Sequence, residues 1–71
     1  MNNIMRLNKE IYSLQCIERA IHDYSSLATI TIEETATYYI CTFSVLGFDM
    51  DLIMHRFANY LIDIINVEKI I

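Results

Sequence analysis

The sequence predicts an α+β domain whose elements run strand, helix, strand, strand, helix. Two segments place apolar residues at every second position, the period of a half-buried strand, and two others place them three or four apart, the period of a helix face. The breakers are nearly absent, with one glycine and no proline in 71 residues, so nothing in the composition marks a linker and one domain over residues 1–71 is expected.

Residues 3 to 7 alternate weakly, Met5 and Leu7 on one face against Ile4 and Arg6 on the other, and read as a short first strand that resumes at Ile11-Tyr12. Ser13 has the side chain of an N-cap, able to accept an unsatisfied N–H of the first helical turn. After it Leu14, Ile17, Ala20, Ile21 and Tyr24 share one helical face, while Glu18, Arg19, His22 and Asp23 project elsewhere. The helix should fade near Ser25-Ser26. Ala28 to Glu34 alternates Ala28, Ile30 and Ile32 with Thr29, Thr31 and Glu33, a β-branched pattern that reads as a strand. Thr37 to Val45 repeats it, with Tyr39, Cys41, Phe43 and Val45 on one face and Tyr38, Ile40, Thr42 and Ser44 on the other. Only Glu34-Thr35-Ala36 separates the two, so a hairpin is expected although its favoured turn residues are missing. Gly47 ends the third strand, and Asp49 or Asp51 can cap a second helix. Its core stripe is Met50, Ile53, Met54, Phe57, Tyr60, Leu61, Ile64 and Ile65, with Ile62 on the opposite flank and Val67, Ile70 and Ile71 following.

A right-handed crossover makes the first two strands parallel, and the hairpin sets the third antiparallel to the second. The spatial order is then 1-3-2, a ferredoxin-like split βαβ plan lacking its fourth strand, with both helices on one sheet face against Ile30, Ile32, Tyr39, Cys41 and Phe43. Strand one is left with an open edge around Ile4, Met5, Arg6 and Leu7.

Composition narrows the function. Counting tyrosine, apolar residues make up 55% of the chain. A chain this short buries only about 60% of its unfolded surface. Some apolar surface should therefore meet a partner, and a homo-oligomer is expected with Met50, Ile62, Val67 and Ile70 in the contact. Tyr38 and Ile40, on the sheet face away from the helices, are further candidates for partner contact. The net charge of −4 and scattered cations (Arg6, Lys9, Arg19, Arg56, Lys69) argue against nucleic acid. No apolar run reaches the about 20 residues of a membrane span, and the N-terminus lacks signal-peptide features, so the expected location is the cytoplasm.

Chemistry is sparse. Cys16 and Cys41 have neither metal-ligand nor redox-motif spacing and read as buried free thiols. His22 and His55 belong to different helices, the carboxylates of Glu10, Glu33, Glu34, Asp49 and Asp51 are scattered, and one glycine cannot build a phosphate loop. No catalytic residue, cofactor or metal is expected.

The stretch Leu7-Asn8-Lys9-Glu10-Ile11-Tyr12-Ser13-Leu14-Gln15-Cys16-Ile17 resembles the HxsD-like proteins, the small D component of bacterial His-Xaa-Ser peptide systems. The likeness continues through Ala20 and Tyr24, the Ile-Thr-Ile-Glu-Glu and Tyr-Tyr-Ile-Cys-Thr-Phe strands and the Phe-Ala-Asn-Tyr-Leu-Ile helix, about residues 4 to 66. Members of the fuller type continue past the second helix with further charged, helical sequence. The resemblance implies an accessory protein encoded with radical-SAM enzymes that modify a ribosomally made peptide, and it brings no catalytic residue. The expected partners are that enzyme or the precursor peptide. The alternative is a structural or regulatory homo-oligomer with no role in peptide maturation.

Overall fold

The computed structural model describes residues 3–70, except for the side chains of residues 69 and 70. Its elements are β1 (Ile4–Asn8), α1 (Leu14–Asp23), β2 (Thr29–Glu34), β3 (Tyr38–Ser44) and α2 (Met50–Ile70). The sheet has the order β1-β3-β2, and β3 is antiparallel to both neighbours, so β1 and β2 run parallel at its two edges. This is the predicted α+β arrangement.

Sequence explains each boundary. Ser13 caps α1, its Oγ accepting the N–H of Cys16 at 3.2 Å, and Tyr24 closes the other end. Asp49 Oδ1 accepts the N–H of Leu52, so of the two candidate caps Asp49 fills the role and Asp51 lies in the first turn. The β2–β3 hairpin turns without Gly, Asn or Pro. Thr35 takes their place: its Oγ1 accepts the N–H of Tyr38 at 2.9 Å and that of Thr37 at 3.3 Å, a side-chain turn that frees the segment from needing a positive φ. Among the described residues Gly47 alone adopts a positive φ, +79°, where β3 breaks toward α2.

Two expectations need correction. β1 does not resume at Ile11-Tyr12, because Asn8 folds the chain there. Its carbonyl accepts the N–H groups of Ile11 and Tyr12, and its Oδ1 accepts that of Glu10 at 2.8 Å. On the expected face of α1, Ile17 and Ala20 are buried and Ile21 and Tyr24 pack half-buried against the core, but Leu14 is exposed and Cys16 joins the buried set instead.

One hydrophobic core fills the space between sheet and helices. Leu7, Ile30, Cys41 and Phe43 enter it from the sheet, Cys16, Ile17 and Ala20 from α1, and Ile53, Phe57, Leu61, Ile64 and Ile65 from α2. Phe57 is fully buried at its centre. Its ring meets Phe43 edge-on at 5.1 Å between centroids and Tyr24 edge-on at 5.5 Å. Tyr60 extends this aromatic row beside Tyr24, and its hydroxyl donates to Asp23 at the end of α1. The aromatic row thus joins β3, α2 and the last turn of α1.

Candidate partner-binding surface

The hydrogen-bond alternation of the sheet decides which backbone groups face outward. Phe43 N–H donates to Asn3 C=O and Lys9 N–H to Thr37 C=O, so Met5/Cys41 and Leu7/Tyr39 are the intervening bonded pairs. Ile4, Arg6 and Asn8 therefore turn their peptide groups away from β3. Asn8 spends its carbonyl on the following turn, and Ile4 is itself engaged. The β1 edge singled out from the sequence is consequently short, with Arg6 at its middle. Met5 and Leu7 direct their side chains to the helices, Met5 half-buried and Leu7 buried, while Ile4 and Arg6 lie on the exposed face.

The edge of β2 is longer. Thr35 N–H donates to Tyr38 C=O, which makes Glu33/Ile40, Thr31/Thr42 and Thr29/Ser44 the bonded pairs with β3. Ile30, Ile32 and Glu34 then point N–H and C=O out of the sheet. Pairing with β3 runs residue for residue with no bulge. Sequence reasoning missed this edge, although the order 1-3-2 that it derived leaves β2 outermost as well.

At the N-terminal end of β2 lies a second feature that the sequence reading passed over. The loop after β3 carries Leu46, 90% exposed, and Phe48, 54% exposed, and Leu52 is exposed on the next turn. Leu46 and Phe48 border a shallow depression of about 180 Å³ whose other walls are Ser25, Ser26, Leu27, Ala28, Thr29 and Ser44. Two large apolar residues flanking the single glycine were the available signal, since loop positions are ordinarily polar.

The remaining expected contact residues fall on separate surfaces. Tyr38 and Ile40 lie on the sheet face away from the helices, in rows with Asn8 and Arg6. Met50 is half-buried at the start of α2, and Ile62 and Val67 are exposed farther along it. The side chain of Ile70 lies outside the described residues. No single surface unites these positions.

Titratable groups behave as their surroundings require. Cys16 and Cys41 are free and buried. Burial pushes the Cys41 thiol up from 9.0 to about 11. Cys16 is raised too, first by burial and further by Glu68, whose carboxylate accepts the thiol hydrogen at 3.1 Å. The Tyr60 hydroxyl is held above its ordinary value by its hydrogen bond to Asp23. Lys9 pairs with Glu34 and stands over the Tyr39 ring. Among the described residues no three His, Cys, Asp or Glu side chains are grouped to hold a metal, and no helix is long and apolar enough to cross a membrane. His22 and His55 are both exposed, on different helices.

The fold and its surface define a small two-layer α+β protein with an open sheet face and an apolar loop beside one edge strand. The family model described as His-Xaa-Ser system protein HxsD matches residues 7–66, nearly the whole chain, and the chain belongs to that family. No curated protein matches it. No solved structure matches it either.

Proposed function

We propose that this chain is a non-catalytic, cytoplasmic accessory protein of a His-Xaa-Ser peptide-maturation system, acting beside a radical-SAM enzyme by binding another polypeptide. The observation that carries the reading is the family match over residues 7–66 in a chain that holds Leu46 and Phe48 exposed on a loop. Leaving two large apolar side chains in water forgoes about 1.5–3 kcal/mol each that their full burial would contribute. A partner that covers them recovers part of it. The role assigned is to bring enzyme and precursor peptide together, and the chemistry belongs to the enzyme.

The test is reconstitution. The purified chain is mixed with the radical-SAM enzyme and the precursor peptide encoded beside it and passed over a sizing column. Co-elution with either supports the reading; independent elution of all three at micromolar concentration contradicts it. A second reading, a structural homo-oligomer, has the exposed Ile62 and Val67 of α2 in its favour. Light scattering of the isolated chain decides it: an 8.4 kDa particle at micromolar concentration removes that reading.

A further inference from the structure

The β2 edge lacks most of the devices that keep edge strands apart, its two carboxylates, Glu33 and Glu34, standing together at one end. It contains no lysine, no proline and no bulge over six residues, and Ile30, Ile32 and Glu34 turn their peptide groups away from β3. Its two ends differ in chemistry. At the C-terminal end Glu33 is exposed and, among the described residues, has no ion-pair partner, whereas Glu34 is already paired with Lys9. At the N-terminal end the strand runs into the depression bordered by Leu46 and Phe48.

We propose that the outer edge of β2 receives an extended strand from another polypeptide, laid antiparallel to it, with a cationic residue opposite Glu33 and a large apolar residue seated against Leu46 and Phe48. This deepens the binding role proposed above and rests on it. In that direction the incoming strand places its cation toward its own N-terminus and its apolar residue toward its C-terminus. Main-chain bonds to Ile30, Ile32 and Glu34 supply affinity, and the two ends supply direction and register. Residues opposite Ile30 and Ile32 share the helix-side face with them and are apolar; the residue opposite Thr31 lies on the open face.

A second copy of this chain fits the same edge poorly. Two β2 strands related by a two-fold axis can pair with Ile30 opposite Ile32 of the other copy. Glu33 then faces Thr29 and Glu34 faces Ala28, which brings each acidic end beside the other copy's Leu46 and Phe48. In the alternative register Ile32 faces its own equivalent and Glu34 faces Ile30. Both set carboxylates against apolar side chains and leave Glu33 without a counter-charge.

The test uses a synthetic probe, Thr-Lys-Val-Thr-Val-Thr-Leu, blocked at both ends, and the same peptide with glutamate in place of lysine. Each is titrated to millimolar concentration into the isotope-labelled full chain while backbone amide resonances are followed. The lysine peptide is expected to shift the amides of Ile30, Ile32 and Glu34 and those of Leu46 to Phe48, leaving β1 unmoved. The glutamate peptide is expected to bind roughly fivefold more weakly, the upper range for a cross-strand charge pair. Glu33→Lys should reverse that preference, and Leu46→Asp with Phe48→Asp should weaken the lysine peptide by about tenfold or more. These residues are exposed, and circular dichroism confirms that each variant is folded. The proposal is overturned if the probe produces no shifts, if the shifts fall on β1 or α2, or if Glu33→Lys leaves the preference unchanged. It is also overturned if the β2 amides of the chain alone change with its own concentration, which would assign the edge to a second copy. Reconstitution with the enzyme and precursor is independent of these outcomes, so the binding role can stand where this edge fails.

Discussion

Replacing Phe57 with alanine tests whether the aromatic row is the centre of this fold. Phe57 is fully buried and meets Phe43 and Tyr24 edge-on. Removing a buried phenylalanine ring typically costs about 3–5 kcal/mol, because the transfer energy is lost and the hole relaxes only in part. At about 0.05–0.15 kcal/mol per residue, a 71-residue chain has roughly 4–10 kcal/mol in total. Phe57→Ala should therefore remove close to half of the stability or more. Phe57→Leu keeps most of the volume and loses the two edge-on ring contacts, each about 0.5–1.5 kcal/mol, for a loss of roughly 1–3 kcal/mol. Phe48→Ala, on the exposed loop, should stay within about 0.5 kcal/mol of wild type. Urea unfolding followed by circular dichroism measures all three. With a slope near 1 kcal/mol per molar urea, Phe57→Ala lowers the midpoint by about 3 M or leaves the chain unfolded without denaturant. A loss below about 1 kcal/mol for Phe57→Ala, or a larger loss for Phe48→Ala, would refute the assignment of the core.

Three further outcomes follow from local features. Stability should fall at alkaline pH: the folded state holds the Cys41 and Cys16 protons more tightly than the unfolded chain, so their contribution is full below pH 9.0 and is lost as pH rises above it, that of Cys41 through about 11. Thermal melts of wild type and Cys41→Ala between neutral pH and pH 11 check this, the variant showing the shallower decline. Ser13→Ala removes the acceptor for Cys16 N–H and should cost about 1 kcal/mol by urea unfolding, a neutral result excluding the cap. Gly47→Ala puts a side chain on a residue at φ +79° with open space around it, so backbone strain alone should cost about 1 kcal/mol; an unchanged midpoint would show that the loop relaxes freely.

The sheet and α2 were legible because their periodicities are strong and uninterrupted. Ile30, Cys41 and Phe43 face the helices, and the stripe from Ile53 to Ile65 is buried as its spacing requires. The end of β1 and the face of α1 were less legible. Asn8 closes a turn through its own side chain, a local bond that competes with continuing the strand, and in the first turn of α1 Cys16 is buried while the larger Leu14 is exposed. The hairpin was legible without its usual turn residues because only three residues separate two alternating segments, and Thr35 provides the turn bond. The binding surface was the least legible part. Backbone edges leave no mark in composition, and Leu46 and Phe48 look like core residues until the loop that carries them is seen.

The proposed role of this HxsD family member is to support peptide maturation by binding, with the chemistry left to the enzyme. Its most direct measurement is the mass of the precursor peptide isolated from cells that lack this gene and are complemented with defined variants. The proposed role requires unmodified peptide in the deletion strain, full modification with wild type, and full modification with His22→Ala and His55→Ala combined. Modified peptide in the deletion strain would contradict the accessory role. Loss of modification with the double histidine variant, while the folded protein still binds its enzyme or precursor, would contradict the non-catalytic one.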